Sequence, residues 1–324
     1  MTDLPGNDDT TAPTADLAVD SGTEAANDLG EFRSLKADVW RQFKRHKGAM
    51  AGVIILTLVV GACLVGPPLS GFDTSTPNVP NANRGAFDWP HLFGTDNLGR
   101  DSFVRALLGG RISLAVGFVA MTVSIVVGVF VGVFAGYFRW LDSPLMRLTD
   151  LFLSLPLLPI LLVTVVLFRD PFQDRLGDNL GIFVLMVTII GGTSWMSTAR
   201  IVRGEVLSIK QEEFILASRS IGTRPWVIIM KHVVPNVMSP VIVAASLGIA
   251  LAILTESAVS FLGLGFPLEL PTWGKLLDDG KDRISLNVWL VAGPGILLSA
   301  TVMSVNLIGD GLRDALDPQG RSKG

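Results

Sequence analysis

The chain has 324 residues, of which 49 % are hydrophobic and only 17 % are charged, and its formal net charge is −3. A soluble domain of this length normally carries about 25 % charged residues, so the composition argues against a soluble protein. The small net charge also gives no support for a nucleic-acid partner. The one cysteine, Cys63, cannot form an internal disulfide and is expected to pack as a small apolar residue.

The first 31 residues are rich in Asp, Thr, Ala and Gly, and they contain no Lys or Arg. Such a segment cannot bury enough apolar surface to fold, so residues 1–31 are predicted to form a disordered acidic tail in the cytoplasm. They do not resemble a signal peptide, whose start is basic.

Residues 32–47 are basic and amphipathic, with apolar side chains such as Val39, Trp40 and Phe43 near helical spacing. This pattern is typical of a helix that lies on the cytoplasmic membrane face. An ordinary juxtamembrane linker with a cluster of positive charges explains it equally well. Both interpretations place the N-terminus inside.

Six apolar stretches reach or approach the length of about 20 residues that a membrane-spanning helix needs. They are Gly48–Leu69, Ile112–Phe138, Leu151–Phe168, Leu180–Ala199, Val237–Phe266 and Leu286–Gly309. The first predicted transmembrane helix is therefore 48–69, and the other five form a core over residues 112–309.

The distribution of positive charge predicts the orientation. With the N-terminus inside, 17 of the 26 Lys and Arg residues fall in cytoplasmic segments, as the positive-inside rule requires. Both termini are then cytoplasmic, and residues 310–324 form a cytoplasmic tail. Residues 70–111 become an extracytoplasmic loop and residues 200–236 a cytoplasmic loop.

The predicted spans contain glycines and prolines that bear on packing. Gly128, Gly132 and Gly136 recur every four residues, so a neighbouring helix can approach that side closely. Pro156 and Pro159 interrupt the third span, and the sixth is interrupted at residues 293–295. Helix packing explains these residues; gating at the prolines is a second possibility, since kinks have several causes.

The sequence contains no constellation for covalent chemistry. It has no phosphate-binding Gly-x4-Gly-Lys-Ser/Thr loop, no His-Glu-x2-His and no Cys-x2-Cys. The three histidines are far apart, which argues against a metal site. We therefore predict that the chain is not an enzyme and has no catalytic residue, no metal and no cofactor of its own.

One carboxylate, Glu256, lies within a predicted span. An ionised group at the middle of the bilayer costs at least about 2.5–3.5 kcal/mol, so this side chain must face protein or water. It can line a substrate path, or it can be a hydrogen-bonded lock between helices, and the sequence favours neither.

The cytoplasmic loop contains a short helix-forming segment from Glu213 to Ile221, in which Phe214, Ala217, Ser218 and Ile221 share one face. Gly222 is a natural helix stop. A semi-apolar helix of this kind either protrudes towards a partner or packs against its own bundle, and its pattern alone favours the second.

A resemblance changes that balance. The loop resembles the cytoplasmic motif of ABC importer permeases in the form found in peptide importers, Glu-Phe/Tyr-Val/Ile-x-Ala-Ala/Ser-Arg-x2-Gly followed by His-x2-Pro-Asn. The matching residues are Glu213, Phe214, Ile215, Ala217, Ser218, Arg219, Gly222, His232, Pro235 and Asn236.

Four further stretches resemble the same family, and in order they begin at Phe93, Gly109, Ser260 and Gly309. The resemblance runs from about residue 38 to 318 and does not include the acidic tail. It implies an all-α integral membrane protein of the bacterial cell membrane with the type I ABC importer permease fold. That fold has six transmembrane helices, one N-terminal and five in a core, with both termini cytoplasmic.

The resemblance also implies a function. The chain would be the second permease subunit of a dipeptide or oligopeptide importer, working with a sister permease, two ATPase subunits that bind ATP and Mg, and an extracytoplasmic binding protein. The coupling residues implied are Glu213, Phe214, Ile215, Ala217, Ser218, Arg219, Ile221 and Gly222. Nickel complexes or oligosaccharides are alternative cargoes. An ion-coupled transporter is a rival class, for which Glu256 is the available carboxylate.

Overall fold

The computed structural model describes residues 35–72, 76–267 and 269–316. The acidic tail predicted over residues 1–31 lies outside them. The chain divides into two compact units, Met1–Arg41 and Gln42–Gly324. The described residues of the first unit are helical, and everything below concerns the second.

Most of the described residues are helical. The helices are α1 Leu35–Arg45, α2 Lys47–Ser70, α3 Ser102–Tyr137, α4 Arg139–Ser154, α5 Leu157–Leu176, α6 Asp178–Ile209, α7 Glu213–Ser220, α8 Pro225–Ile228, α9 Val234–Phe261, α10 Trp273–Lys281 and α11 Trp289–Leu316. A π-helical turn, Ile229–Val233, joins α8 to α9. The first two helices are separate because His46 is extended and its Nδ1 accepts the Ala49 N–H at 3.0 Å.

Five of the described helical segments are long and apolar enough to cross a membrane: α2, α3, α6, the continuous unit Pro225–Phe261 and α11. The third predicted span, Leu151–Phe168, is not one straight helix. The chain bends by 87° between α4 and α5, because Pro156 has no N–H to donate and holds Leu155 in an extended conformation.

The packing of α3 on α6 shows that the bent pair still returns the chain across the membrane. Gly128 lies against Thr198 and Gly136 against Val206, so residue numbers rise together along both helices and the helices run parallel. Because α3 and α6 cross the membrane in the same direction, the chain must cross back between them. The 20 residues of α5 are long enough to do so, since they reach about 30 Å. The described chain therefore makes six crossings.

An even number of crossings puts the start of α2 and the end of α11 on one side of the membrane. Their contacts agree, since Gln42 Nε2 donates to the Asp314 carbonyl at 2.8 Å and His46 Nε2 lies 3.4 Å from the Asp314 carboxylate. The end of α3 and the end of α6 are on this same side, so α7 is too.

Several helix limits differ from the sequence-based boundaries. Helix α3 begins at Ser102 rather than 112 because Asp101 caps it by accepting the Val104 N–H at 2.8 Å. Helix α11 continues past 309 to Leu316.

The break predicted at residues 293–295 is absent, and α11 remains helical through Pro294. Pro294 cannot donate to the Leu290 carbonyl. Gly280 of α10 lies against that carbonyl, where a Cβ would come within 2.9 Å of its oxygen. A proline is tolerated in a membrane helix where neighbouring protein packs on the carbonyl that it frees.

Candidate functional site

Helix α7 is a short rod with a well-defined end. It begins at Glu213 and ends at Ser220, and Gly222 has the positive φ of +78° that the helix stop predicts. The Thr223 N–H donates to the Ser218 carbonyl at 3.1 Å, and the Gly222 N–H donates to the Arg219 carbonyl at 2.9 Å. These two bonds form a Schellman motif, which satisfies the last carbonyls of the helix.

The two sides of α7 have different surroundings. Ile215 is fully buried in an apolar cluster that also contains Val206, Ile228 and Val237. Our prediction treated Ile215 as a contact for a partner, but here its side chain is not accessible. Ile215 therefore anchors the buried side of α7 to the helical bundle.

The opposite side of α7 presents apolar surface to the solvent. Phe214 is 43 % exposed, Leu216 49 % and Ile221 82 %. Glu213, Ala217 and Arg219 are also exposed, and Ser218 is half-buried. Of the four residues predicted to share one face of this helix, Ser218 alone is not exposed; its hydroxyl donates to the Phe214 carbonyl at 2.8 Å.

The end of α3 is contacted by two cations, Lys210 just before α7 and Arg219 within α7. Lys210 Nζ donates to the carbonyls of Gly136 and Tyr137 at 3.0 and 2.8 Å, where the partial negative charge of a helix C-terminus favours a cation. The Arg219 guanidinium lies over the Tyr137 ring, 5.2 Å from its centroid. Burial and the neighbouring positive charge of Arg219 lower the pKa of Lys210.

Ion pairs fix α6 to α4 on the same side of the membrane. Arg203 donates to both carboxylate oxygens of Asp142, at 2.5 and 2.8 Å, and Arg200 lies 2.5 Å from Asp150. The Arg203 pair is bidentate and partly buried, which makes it the stronger of the two. These pairs hold α4 against the last turns of α6.

The π-helical turn after α8 explains the His-x2-Pro-Asn part of the motif. Pro235 cannot donate to the Lys231 carbonyl, and the backbone widens into a π turn just before it. Asn236 Nδ2 then donates to the His232 carbonyl at 2.6 Å. The His232 ring lies 6.0 Å from the Phe214 ring, so this turn supports the exposed side of α7.

Sequence reasoning missed Tyr137, Lys210 and the Asp142–Arg203 pair, because these contacts join residues far apart in the chain. A weak signal was present. Tyr137 is the one tyrosine in the sequence, and it follows directly after the glycine series of α3.

Glu256 is fully buried and bonded to hydroxyl groups. Ser113 donates to one of its carboxylate oxygens at 2.8 Å and Ser260 to the other at 2.7 Å. Ser113 Oγ also accepts the Trp273 N–H at 3.2 Å. Glu256 thus joins α3, α9 and the first residue of α10, which favours the lock over the substrate path.

The glycine series of α3 lies in the contact with α6. A Cβ on Gly132 would fall 2.6 Å from the Ala199 carbonyl oxygen, and one on Gly136 would fall 2.7 Å from Val206 Cβ. The backbones can approach this closely only without side chains. In contrast, Gly192 of α6 has open space around it.

The stretch from Phe93 to Asp101 forms a compact cap on the other side of the membrane. Asp96 accepts hydrogen bonds from the backbone of Leu98 and Arg100, both at 2.9 Å, and it pairs with the side chains of Arg100 and Arg105. Asp101 pairs with His91 at 2.7 Å. This cap fixes the start of α3, which explains why the stretch carries so many polar residues.

Comparison with known proteins identifies the family. Residues 124–322 match the family model described as the binding-protein-dependent transport system inner membrane component. Residues 34–87 match the N-terminal TM domain of oligopeptide transport permease C.

Curated relatives cover most of the chain. The oligopeptide transport system permease protein OppC of Escherichia coli strain K12 is 43 % identical over 298 residues, which are 90 % of this chain and 93 % of that protein. The dipeptide transport system permease protein DppC of Alkalihalophilus pseudofirmus is 37 % identical over 286 residues, or 88 % and 90 %.

A solved structure shares the fold. The MetNI methionine ABC transporter, in an inward-facing conformation, aligns with a TM-score of 0.50 and 20 % identity over 64 % of this chain and 94 % of that one. The fold is therefore that of a type I ABC importer permease. The chain belongs to the binding-protein-dependent transport system inner membrane component family, and its relatives are peptide permeases of the OppC and DppC type. It is a multi-pass membrane protein.

Proposed function

We propose that this chain is one of two different permease subunits of an ATP-driven importer that carries dipeptides and oligopeptides into the bacterial cytoplasm. The observation that carries the proposal is its similarity, over nine-tenths of its length, to a permease named for oligopeptide transport. The five stretches of peptide-importer motif in the sequence point to the same cargo.

Helix α7 is the coupling element in this proposal. Its exposed apolar residues Phe214, Leu216 and Ile221 fill a groove on an ATPase subunit, while Glu213 and Arg219 set the register at the rim. The buried Ile215 and the contacts of Arg219 and Lys210 with the end of α3 make α7 move with the spans. Closure of the ATPase subunits would then tilt the membrane spans together with α7.

The other partners follow from this mechanism. A sister permease completes the membrane pore, two ATPase subunits bind ATP and Mg, and a binding protein delivers the cargo from outside. The side of the membrane that holds α7 and both ends of the described chain is the cytoplasm, because the segments on that side hold most of the positive charge. An ion-coupled mechanism has less support, since Glu256 is enclosed by serine hydroxyls.

The test is transport by the complete complex in proteoliposomes, with its ATPases, sister permease and binding protein present. ATP-dependent uptake of labelled peptides of two to about five residues is the expected result. Uptake of a nickel complex or an oligosaccharide without peptide uptake would show that the cargo is wrong. Uptake driven by an ion gradient without ATP would overturn the mechanism.

A further inference from the structure

A large cavity lies in the angle between α4 and α5. It measures about 420 Å³, and its walls come from the α4–α5 elbow, α6, α9 and one residue of α3, Met121. Phe152, Leu155 and Leu157 form the elbow wall, and Ser197 and Thr255 are among the residues opposite. Its volume lies in the range of sites that take small ligands.

Five residues that line this cavity carry hydroxyl groups, and three of these hydroxyls already donate their protons to backbone carbonyls. Thr193 and Ser194 donate to the carbonyls of Ile189 and Ile190, at 2.8 and 2.7 Å, and Thr255 donates to the Leu251 carbonyl at 2.7 Å. A hydroxyl that donates its one proton keeps two lone pairs. These three oxygens therefore offer acceptors to whatever occupies the cavity.

The walls are also electrically neutral. None of the described residues that line the cavity has an ionisable side chain. Glu256 directly follows Thr255 in α9, yet it is fully buried and is not part of the wall. A carboxylate or an ammonium group in the wall would attract peptides of opposite charge and repel the others.

We infer that this cavity is this subunit's part of the substrate path, and that it accommodates the N–H groups of a peptide backbone and its terminal ammonium without selecting for side-chain charge. The inference rests on the proposed function, because peptides are its ligand. Hydroxyl acceptors match the donors that every peptide carries, and neutral walls pass acidic and basic peptides alike.

The first experiment tests whether the cavity holds water. Ser197→Cys and Phe118→Cys are made in a Cys63→Ala background and assembled into the full complex. Both positions are exposed, but only Ser197 lines the cavity. A charged methanethiosulfonate reagent should modify Ser197→Cys at least tenfold faster than Phe118→Cys. Equally slow modification would mean that lipid fills the cavity, which overturns the inference.

The second experiment tests charge neutrality. Ser197→Asp should lower the uptake of an acidic peptide relative to a basic one at least tenfold, whereas the neutral Ser197→Asn should leave that ratio unchanged. Thr255→Val removes an acceptor and should slow peptide uptake about threefold more than Thr255→Ser does. An unchanged acidic-to-basic ratio in Ser197→Asp would exclude this cavity from the path.

The two failures are distinguishable. If the unmodified complex imports no peptide, the proposed function fails, and the labelling still shows whether the cavity is open to water. If it imports peptides while Ser197→Cys resists the reagent and Ser197→Asp does not alter charge preference, the function stands and the assignment of the path is wrong.

Discussion

The Arg219 guanidinium of α7 lies 5.2 Å from the centre of the Tyr137 ring at the end of α3. This contact connects the helix that we propose docks on the ATPase with the span that packs on α6. The Lys210 ammonium donates to two backbone carbonyls at this same end of α3. Force applied to α7 therefore reaches the bundle through α3 as well as through the covalent link to α6.

The Tyr137 contact yields the first prediction. Tyr137→Leu removes the aromatic ring, whereas Tyr137→Phe keeps it. An exposed cation–π contact contributes about 0.5–1 kcal/mol, so Tyr137→Leu should reduce the number of peptides imported per ATP about two- to fivefold. Tyr137→Phe should differ little from the unmodified protein. The measurement is uptake and ATP hydrolysis on the same proteoliposomes, and equal ratios in all three proteins would contradict the prediction.

The exposed face of α7 yields the second prediction. Ile221→Ala and Phe214→Ala should weaken association with the ATPase subunit at least tenfold, because a large apolar anchor in an interface contributes about 2 kcal/mol or more. Ile284→Ala is the matched control, since Ile284 is 51 % exposed on the opposite side of the membrane. Retention of the ATPase by both α7 variants in a pull-down from detergent would show that α7 is not the docking element.

The buried side of α7 provides the contrast within this second prediction. Ile215→Ala should destabilise the subunit by about 2–5 kcal/mol, because it leaves a cavity in a packed cluster. Gly222→Val should strain the backbone at a φ of +78° and shorten or misdirect the helix. Both should lower the thermal melting temperature of the purified subunit, which Phe214→Ala should leave unchanged.

Glu256 yields the third prediction. Glu256→Leu leaves the hydroxyls of Ser113 and Ser260 without their acceptor, at a cost of about 1–3 kcal/mol each. Glu256→Gln keeps an acceptor oxygen and should be much milder. The measurements are melting temperature and assembly with the sister permease. If Glu256→Gln assembles normally and yet imports nothing, the charge itself is required and the lock is an incomplete description.

The contact between α3 and α6 yields the fourth prediction. Gly132→Ala should destabilise the subunit, because its Cβ would lie 2.6 Å from the Ala199 carbonyl oxygen. Gly192→Ala is the matched control in a helix of the same pair, where nothing lies within 4 Å of the added carbon. It should be neutral or stabilising by up to about 1 kcal/mol. Equal melting temperatures for the two variants would contradict the packing argument.

The membrane topology yields the fifth prediction. Ser208→Cys near the end of α6 and Ser285→Cys between α10 and α11 lie on opposite sides of the membrane, and both positions are exposed. In a Cys63→Ala background, an impermeant thiol reagent added to intact cells should label Ser285→Cys alone. Ser208→Cys should need permeabilised cells. Labelling of Ser208→Cys from outside would reverse the orientation.

The sequence by itself determined the class of protein and its most informative segment. Apolar runs of membrane length, such as Gly48–Leu69, cannot remain in water, so hydropathy alone predicted helical spans. The residue spacing from Glu213 to Ile221 and the glycine at position 222 predicted a short helix with a glycine stop, and the structure has that helix and a positive φ at Gly222. These are local properties, fixed by side-chain polarity and backbone sterics over a few residues.

Only the tertiary structure decided how these parts meet. Pro156 predicts an interruption in the third span, but hydropathy could not give its angle of 87°, because the apolar run continues through the bend. Nor could it choose between a path and a lock for Glu256, since Ser113 is 143 positions away in the chain. The burial of Ile215 beside the exposed Phe214 depends on where α7 docks on its own bundle. Contacts between distant residues carry no signal in one sequence, and they alone determine which side chains are left facing a partner or a cavity.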